Sequence, residues 1–271
     1  YADFAIWQRA WLERESLQTQ LAYWRERLAG VPALSLPTDH PRPARPSHRG
    51  SILPFNLSAE LTRRLKALSR QEGVTLFMAM LAAFLAVLSR YTGQEDIAVG
   101  SPIANRNRRE IEGLIGFFVN EMILRTDLTG DPSLRTLLRR VRETTLGAYA
   151  NQDVPFEKLV EQLSPERSLN ATSVFQVTFA LQNAPAPQQM KGLEVEPVIG
   201  DELRVHFDLE VEAWENEGEI TILWLYDRDL FDRWRMEQMG RHYLRALEAM
   251  VEDAEQKIGG IDLLTAEERS Q

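Results

Sequence analysis

The sequence contains no cysteine among its 271 residues. This absence excludes disulfide bonds, thiolate nucleophiles and cysteine-ligated metal sites. It is typical of proteins that fold in a reducing compartment, so we expect a cytoplasmic location. Histidine is nearly as scarce, with four residues in the whole chain.

Basic residues are outnumbered by acidic ones, 31 against 40, which leaves a formal net charge of −9. Proteins that bind nucleic acid neutralise phosphates with a basic surface, so we expect no nucleic-acid partner. Long hydrophobic runs are also missing. The most apolar stretch, residues 74–91, is too short for a membrane span and predicts a buried core helix, so we expect no membrane partner.

The common catalytic signatures are absent. There is no Gly-rich loop followed by Lys-Ser/Thr to cradle phosphate, and no G-x-S-x-G elbow. His40, His48, His206 and His242 lack partners at the spacing of a metal pair or catalytic dyad, so we expect structural or surface roles for all four. The sequence therefore provides no convincing general base.

The first fifty residues divide into two segments. Residues 1–30 carry apolar side chains at helical spacing up to Gly30, which predicts two short helices or one bent helix. Residues 31–50 contain five prolines between Pro32 and Pro46, which predict an extended connector that crosses a surface.

From residue 51 onward, helical and strand patterns alternate. Ser58 is a favourable N-cap for a first helix, and Asp131 followed by Pro132 predicts the start of another. Two strands of alternating polarity come late in the chain, joined by a hairpin turn. These patterns predict an α/β (α+β) sandwich, with helices packed on one mixed sheet whose edges are mostly antiparallel. We expect this unit to span residues 51–254 and residues 255–271 to be a linker.

Five segments are similar, in order, to motifs of one protein family. They are "YADFAIW" at 1–7, "IGFFVNEMILR" at 115–125, "NQDVPFEKL" at 151–159, "RSLNATSVFQVTFALQN" at 167–183 and the tail "IDLLTAEE". Across essentially the whole length, the chain resembles the C-terminal half of a condensation domain of non-ribosomal peptide synthetases. The resemblance is greatest to domains that join two L-aminoacyl units.

The resemblance implies a chloramphenicol-acetyltransferase-like lobe that forms one wall of a tunnel, with an N-terminal lobe opposite. Donor and acceptor carrier proteins bring thioesters into this tunnel on phosphopantetheine arms, and an adenylation domain follows. The family's catalytic motif, H-H-x-x-x-D-G, is not in the sequence. We therefore expect the chain to contain no catalytic residue, to bind no metal or cofactor directly and to be inactive alone.

The resemblance also suggests roles for individual residues. Arg106 matches the arginine that pairs with the aspartate of the missing motif, where a bidentate ion pair would fix the catalytic loop. A surface arginine is the alternative. Asn183 is a candidate donor to the tetrahedral oxyanion, and Asn120 and Glu121 are candidate tunnel contacts.

Two positions depart from the family pattern. Glu121 stands where threonine or serine is usual, and it places a carboxylate beside the expected tunnel wall. Thr172 and Ser173 stand where the family usually has Ser-Pro. Each departure changes the local geometry that the resemblance implies.

The segment "NQDVPFEKL" begins with three polar side chains, as an active site would. We interpret it instead as a structural motif made of Asn151, Gln152, Asp153, Pro155 and Phe156. Asp153 precedes Pro155 at a helix start, where its carboxylate is expected to accept hydrogen bonds from free backbone N–H groups.

Three functions stay open. The chain is part of a peptide-bond-forming enzyme, a non-catalytic platform that docks carrier proteins or other domains, or a lobe of an epimerisation, cyclisation or CoA-dependent acyltransferase relative. The sequence that precedes Tyr1 would distinguish them, because an intact H-H-x-x-x-D-G there supports the first and a degenerate motif supports the second.

Overall fold

The computed structural model describes residues 1–13, 15–163, 174–182, 203–216, 218–264 and 268–269. The helices are α1 (Ala2–Leu12), α2 (Glu15–Leu28), α3 (Ala59–Gln71), α4 (Leu76–Thr92), α5 (Arg109–Glu112), α6 (Leu134–Ala150), α7 (Phe156–Leu163) and α8 (Arg233–Glu252). The strands are β1 (Gly50–Leu57), β2 (Asp96–Ile103), β3 (Asn120–Asp127), β4 (Val177–Gln182), β5 (Leu209–Asn216) and β6 (Glu219–Asp227).

The six strands form one mixed sheet in the order β1-β6-β5-β4-β2-β3. The pairs toward both edges are antiparallel, whereas β4 runs parallel to β2 and to β5 in the centre. The predicted α/β sandwich with a mixed, antiparallel-edged sheet is confirmed.

Helix α4 is the central core helix. Every residue from Met78 to Leu88 is buried, because this stretch contacts the sheet on one side and α6 and α8 on the other. Thr75 caps its start, and Gly93, at φ 70°, ends it in the left-handed conformation that favours glycine. No single described helix is long and apolar enough to cross a membrane; α3 and α4 reach that length only together, and they are bent by 103°. The predicted buried core helix is confirmed.

Helix starts follow the predicted caps at one position and depart from them at another. The Ser58 hydroxyl accepts from the N–H of Leu61, as expected. The predicted start of α6 at Asp131 is wrong, because Ser133 is the cap and accepts from the N–H of Thr136. Asp131 instead accepts a hydrogen bond from the N–H of Gly259 at 2.7 Å. Its carboxylate thus binds the segment that follows α8 to the start of α6.

The first thirty residues form two helices, one of the two predicted alternatives. The indole Nε1 of Trp24 donates to the carbonyl of Asn151 at 2.8 Å. Arg125 pairs with both oxygens of Asp96 at 2.8 and 2.6 Å and donates to the carbonyls of Arg27 and Ala29 at the end of α2. A cation at this position satisfies carbonyl groups that a helix end leaves free.

Residues 31–48 contain no helix or strand and cross one end of the sheet. The N–H of Leu34 donates to the side chain of Gln176 at 2.8 Å, and Arg42 donates to both oxygens of Asp208 at 2.9 and 2.5 Å. The C-terminal segment is also packed, with Ile258, Ile261 and Leu263 buried. Both segments therefore belong to the same body as the sheet.

Candidate functional site

Three of the five family-like motifs meet at one end of the sheet. Helix α1 with Tyr1, the β2–β3 loop (residues 104–119), Asn120 at the start of β3 and residues 151–156 lie against one another there. We call this region the motif junction. It contains most of the residues that the sequence marked as candidates.

Asn120 is the centre of the motif junction and is 8% exposed. Its Nδ2 donates to the carbonyls of Gln152 and Val154 at 3.0 and 2.9 Å, and its Oδ1 accepts from the N–H of Phe156 at 2.9 Å. Every strong donor and acceptor of this amide therefore has a partner in the segment 152–156. The geometry makes Asn120 a structural bridge between two motifs.

The polar trio at 151–153 is also held by hydrogen bonds. The amide of Asn151 donates to the carbonyl of Gly147 at 2.9 Å, at the end of α6. The carboxylate of Asp153 accepts from the side chains of Gln20 and Asn107, both at 3.1 Å. The expectation that Asp153 caps α7 is wrong, because Asn120 accepts from the first N–H of that helix.

The side chain of Arg106 binds backbone carbonyl groups within the β2–β3 loop. Its Nη1 donates to the carbonyls of Ile111 and Leu114 at 2.5 and 2.8 Å, with a longer contact to Glu112 at 3.3 Å. Its guanidinium carbon lies 4.2 Å from the ring centre of Phe118, a cation–π contact. Arg106 thus has partners within this chain, and its pairing with an aspartate of another lobe stays a prediction.

The motif at 1–7 packs directly on this loop. The hydroxyl of Tyr1 donates to the carbonyl of Phe117 at 3.1 Å, and the rings of Tyr1 and Phe4 meet Phe118 edge-on at 5.4 and 4.8 Å. A Cβ atom at Gly116 would lie 2.3 Å from the Tyr1 ring, so a larger residue there would have to displace that ring.

The outer side of the same loop is apolar and open. Ile115 is 97% exposed and Phe117 is 74% exposed, with Val119 and Leu114 at 49% and 37%. A contiguous group of exposed large apolar side chains marks an interaction surface more often than a solvated one.

Glu121 follows Asn120 on β3 and is the most perturbed carboxyl group near the motif junction. Burial, and then the charge of Glu210, raise the pKa of Glu121 to about 7. Its Oε2 is buried and has no hydrogen-bond partner in the described part of the chain. The Glu121 carboxyl group therefore loses its proton at a higher pH than an exposed glutamate does.

Glu210 and Glu212 lie two residues apart on β5 and so share one face of the sheet. Glu210 accepts from the N–H groups of His206 and Phe207 at 2.6 and 3.2 Å. Burial, and then Glu210, also raise the pKa of Glu212. The sheet face beside the motif junction is therefore partly acidic and partly dehydrated.

Other predicted residues lie away from the motif junction. Asn183, Thr172 and Ser173 fall outside the described residues. His242 is buried far from the motif junction, where its ring nitrogens meet the Tyr91 hydroxyl at 2.8 Å and the Glu268 carboxylate at 3.1 Å. Within the described ranges, no group of three histidine, aspartate or glutamate side chains could hold a metal ion.

Sequence reasoning placed Asn120 beside a tunnel and did not anticipate that it binds the 152–156 segment. It also did not link His242 to Tyr91 and Glu268. No local signal marks either contact, since the partners of Asn120 are 32 to 36 residues away and those of His242 are 26 and 151 residues away.

Comparisons with known proteins assign the chain to a family. The family model for the condensation domain matches residues 1–271. The chain is 50% identical over 275 residues to one component of the linear gramicidin synthase of Brevibacillus parabrevis, covering 100% of this chain and 5% of that protein. It is 41% identical over 283 residues to the dimodular nonribosomal peptide synthase of Bacillus subtilis (strain 168), covering 100% of this chain and 12% of that protein.

A solved structure shares the fold. The X-domain from teicoplanin biosynthesis superposes with a TM-score of 0.88 at 31% identity, covering 97% of this chain and 62% of the other. The chain thus spans a small fraction of these synthetases and less than two thirds of the solved domain. The predicted chloramphenicol-acetyltransferase-like fold is confirmed.

Proposed function

The chain belongs to the condensation-domain family, and from that premise we propose that it is one lobe of a domain that forms peptide bonds in a non-ribosomal peptide synthetase. The donor is an aminoacyl or peptidyl thioester and the acceptor is an aminoacyl thioester, each held on a carrier protein. The observation that carries this proposal is the match of the family model to the whole chain. The motif junction supports it, because it joins three of the family-like segments through direct contacts.

We further propose that this is the C-terminal lobe and that an N-terminal lobe supplies the catalytic histidine. The sequence has no H-H-x-x-x-D-G, and its histidines have structural partners such as Asp232 for His40 and Tyr91 for His242. Arg106 would pair with the aspartate of that motif. Glu121 and Asn120 would line or support the tunnel wall, and Asn183 would donate to the oxyanion.

The remaining partners follow from the same proposal. Phosphopantetheine enters as part of the carrier-bound substrate, so this lobe needs no resident cofactor. An adenylation domain would follow the segment 255–271. We propose two L-aminoacyl units as substrates, on the likeness of the motifs, and a cytoplasmic location, in keeping with the absence of cysteine.

The test supplies the missing lobe. The purified chain is mixed with loaded donor and acceptor carrier proteins, with and without the N-terminal lobe, and the carrier-bound products are measured by mass spectrometry. We expect dipeptidyl product only when both lobes are present, because the H-H-x-x-x-D-G motif is not in this chain. Product from the chain alone would overturn the predicted inactivity. Carrier binding without product in the two-lobe mixture would instead favour a docking platform.

A further inference from the structure

A groove of about 520 Å³ lies between the first half of α6 and the turn that joins α3 to α4. We call it the α6 groove. Its walls include Glu72 and Gly73 from the turn and Arg135, Arg139 and Arg142 from α6. Sites for small molecules in proteins typically have volumes of about 300–1,000 Å³, so the α6 groove has the size of such a site.

The α6 groove is basic, although the whole chain has a formal net charge of −9. Arg135, Arg139 and Arg142 follow one another at intervals of four and three residues, so they lie on one face of α6. Like charges at these intervals repel one another and destabilise a helix. A solvated helix face gains nothing from this arrangement, whereas a bound anion would reduce the repulsion.

The charge of Arg135 is balanced within the chain. Its Nε donates to both carboxylate oxygens of Glu72 at 3.0 and 3.1 Å, and its Nη1 pairs with Glu255. Among the described residues that line the α6 groove, Glu72 provides the one carboxylate, and this ion pair occupies it. The other two guanidinium groups therefore have no carboxylate of the groove to balance them.

Arg139 and Arg142 have free hydrogen-bond donors. The Nε of Arg142 donates to the carbonyl of Gly73 at 3.0 Å, and this bond holds the side chain at the groove. In the described part of the chain, Arg142 makes no other hydrogen bond or ion pair and Arg139 makes none. A guanidinium carries five N–H donors in a planar fork. Both amino groups of Arg142 and the whole fork of Arg139 can therefore donate to an anion.

We propose that the α6 groove binds a small phosphate monoester, and that Arg139 and Arg142 hold its phosphate group. A phosphate monoester has three terminal oxygens and roughly 1.5 to 2 negative charges near neutral pH, so both guanidinium forks can donate to it. A carboxylate has two acceptor oxygens and one charge, which one fork satisfies. The volume of the groove leaves room for the organic group that carries the phosphate.

This inference goes beyond the proposed function and does not depend on it. Arg139 and Asn151 are separated by about 18 Å along α6, at about 1.5 Å per residue. The α6 groove is therefore a different site from the motif junction. A ligand in the groove would join α6 to the α3–α4 turn, beside the bond that Arg142 already makes to Gly73.

The test titrates the isotope-labelled chain with inorganic phosphate and, separately, with adenosine monophosphate, and follows the amide resonances by NMR. Low ionic strength is used because salt screens exposed charges. We expect saturable shifts at Gly73 and at residues 139–142 with both ligands. Adenosine, which lacks the phosphate, should cause none.

The variants test the two arginines. Arg139→Gln and Arg142→Gln should each raise the dissociation constant for adenosine monophosphate at least fivefold. Arg233→Gln is the matched control, since it removes the same charge from an exposed pair with Glu237 on α8. It should change the dissociation constant less than twofold. Circular dichroism melting curves should show that all three variants fold like the parent.

Each further outcome counts against the proposal in a stated way. If neither phosphate nor adenosine monophosphate causes saturable shifts at the groove, the site does not bind phosphate and the inference is overturned. An equal loss of affinity in Arg233→Gln would mean that general charge attracts the anion. If a phosphoserine peptide binds at least tenfold more tightly than adenosine monophosphate, the ligand is a phosphate carried on a protein, and the assignment to a small molecule is overturned.

Discussion

The side-chain oxygen of Asn120 accepts a hydrogen bond from the backbone N–H of Phe156 at 2.9 Å. The same amide donates to two carbonyls of the segment that leads into α7. One buried side chain thus replaces the cap that Asp153 was expected to provide, and it ties the start of β3 to the start of a helix.

Asn120→Asp should destabilise the fold by about 2 kcal/mol, because the new carboxylate would face two carbonyl oxygens without a donor between them. Urea unfolding at pH 7 measures the change. Asn56→Asp is the control, since Asn56 is exposed on β1 and should be nearly neutral. Equal unfolding midpoints for the two variants would show that the bridge contributes no stability.

Glu121→Gln should change how stability depends on pH. The pKa of Glu121 is raised to about 7, so the folded state binds the proton more tightly than the unfolded state. Stability is then lost as pH rises from about 4.5 to about 7, and the loss is complete above that range. Because the group is partly exposed, solvent screening reduces the penalty to the order of 2 kcal/mol.

The variant should therefore be more stable than the parent at pH 8 and similar to it below pH 5. Unfolding midpoints at four pH values measure this difference. Glu143→Gln, at an exposed position on α6, should follow the parent curve. If the unfolding midpoints of Glu121→Gln and the parent change with pH in parallel, the pKa of Glu121 is not raised in the folded state.

Arg125→Lys should loosen α2 from the sheet. Lysine cannot pair with both oxygens of Asp96 while it also donates to the carbonyls of Arg27 and Ala29. We expect a loss of about 1 kcal/mol, limited by solvent screening, and faster amide exchange in α2. Arg63→Lys disturbs only an exposed pair with Glu60 and is the control. Unchanged exchange in α2 would mean that its other contacts, such as those of Trp24 and Gln20, hold the helix without Arg125.

Glu268→Gln should release the C-terminal segment. Burial, and then Glu268, raise the pKa of the Tyr91 phenol, and its hydroxyl lies 2.8 Å from Nδ1 of His242. Nε2 of the same ring lies 3.1 Å from the Glu268 carboxylate, and nitrogen NMR of the imidazole reports which nitrogen carries the proton.

Removing the charge of Glu268 weakens that bond, so we expect amide exchange at 258–264 to rise several-fold. Tyr91→Phe should shift the Nδ1 resonance as well. Glu248→Gln removes a charge at an exposed site on α8, the helix that contains His242. This control should change neither the amide exchange at 258–264 nor the imidazole resonances. If the control raises exchange equally, general charge rather than the imidazole bridge holds the segment.

The elements were predictable where a local pattern dominates. The apolar run of α4, the cap at Ser58 and the alternating strands β5 and β6 each depend on residues only a few positions apart. The start of α6 was not predictable from Asp131 and Pro132, because the Asp131 carboxylate accepts a hydrogen bond from the N–H of Gly259, which lies 128 residues away. Asp153 was misjudged for the same reason, since Gln20 and Asn107 bind its carboxylate.

By itself, the sequence determined the family likeness, the alternation of helices and strands and the absence of thiol chemistry. These properties depend on composition, on short periodicities and on the order of motifs, all of which are local. Only the tertiary structure decided that Arg106 braces an exposed loop, that Asn120 joins two motifs and that burial raises the pKa of Glu121. Hydrogen-bond partners and dehydration depend on which distant segments come together, and no local pattern encodes that.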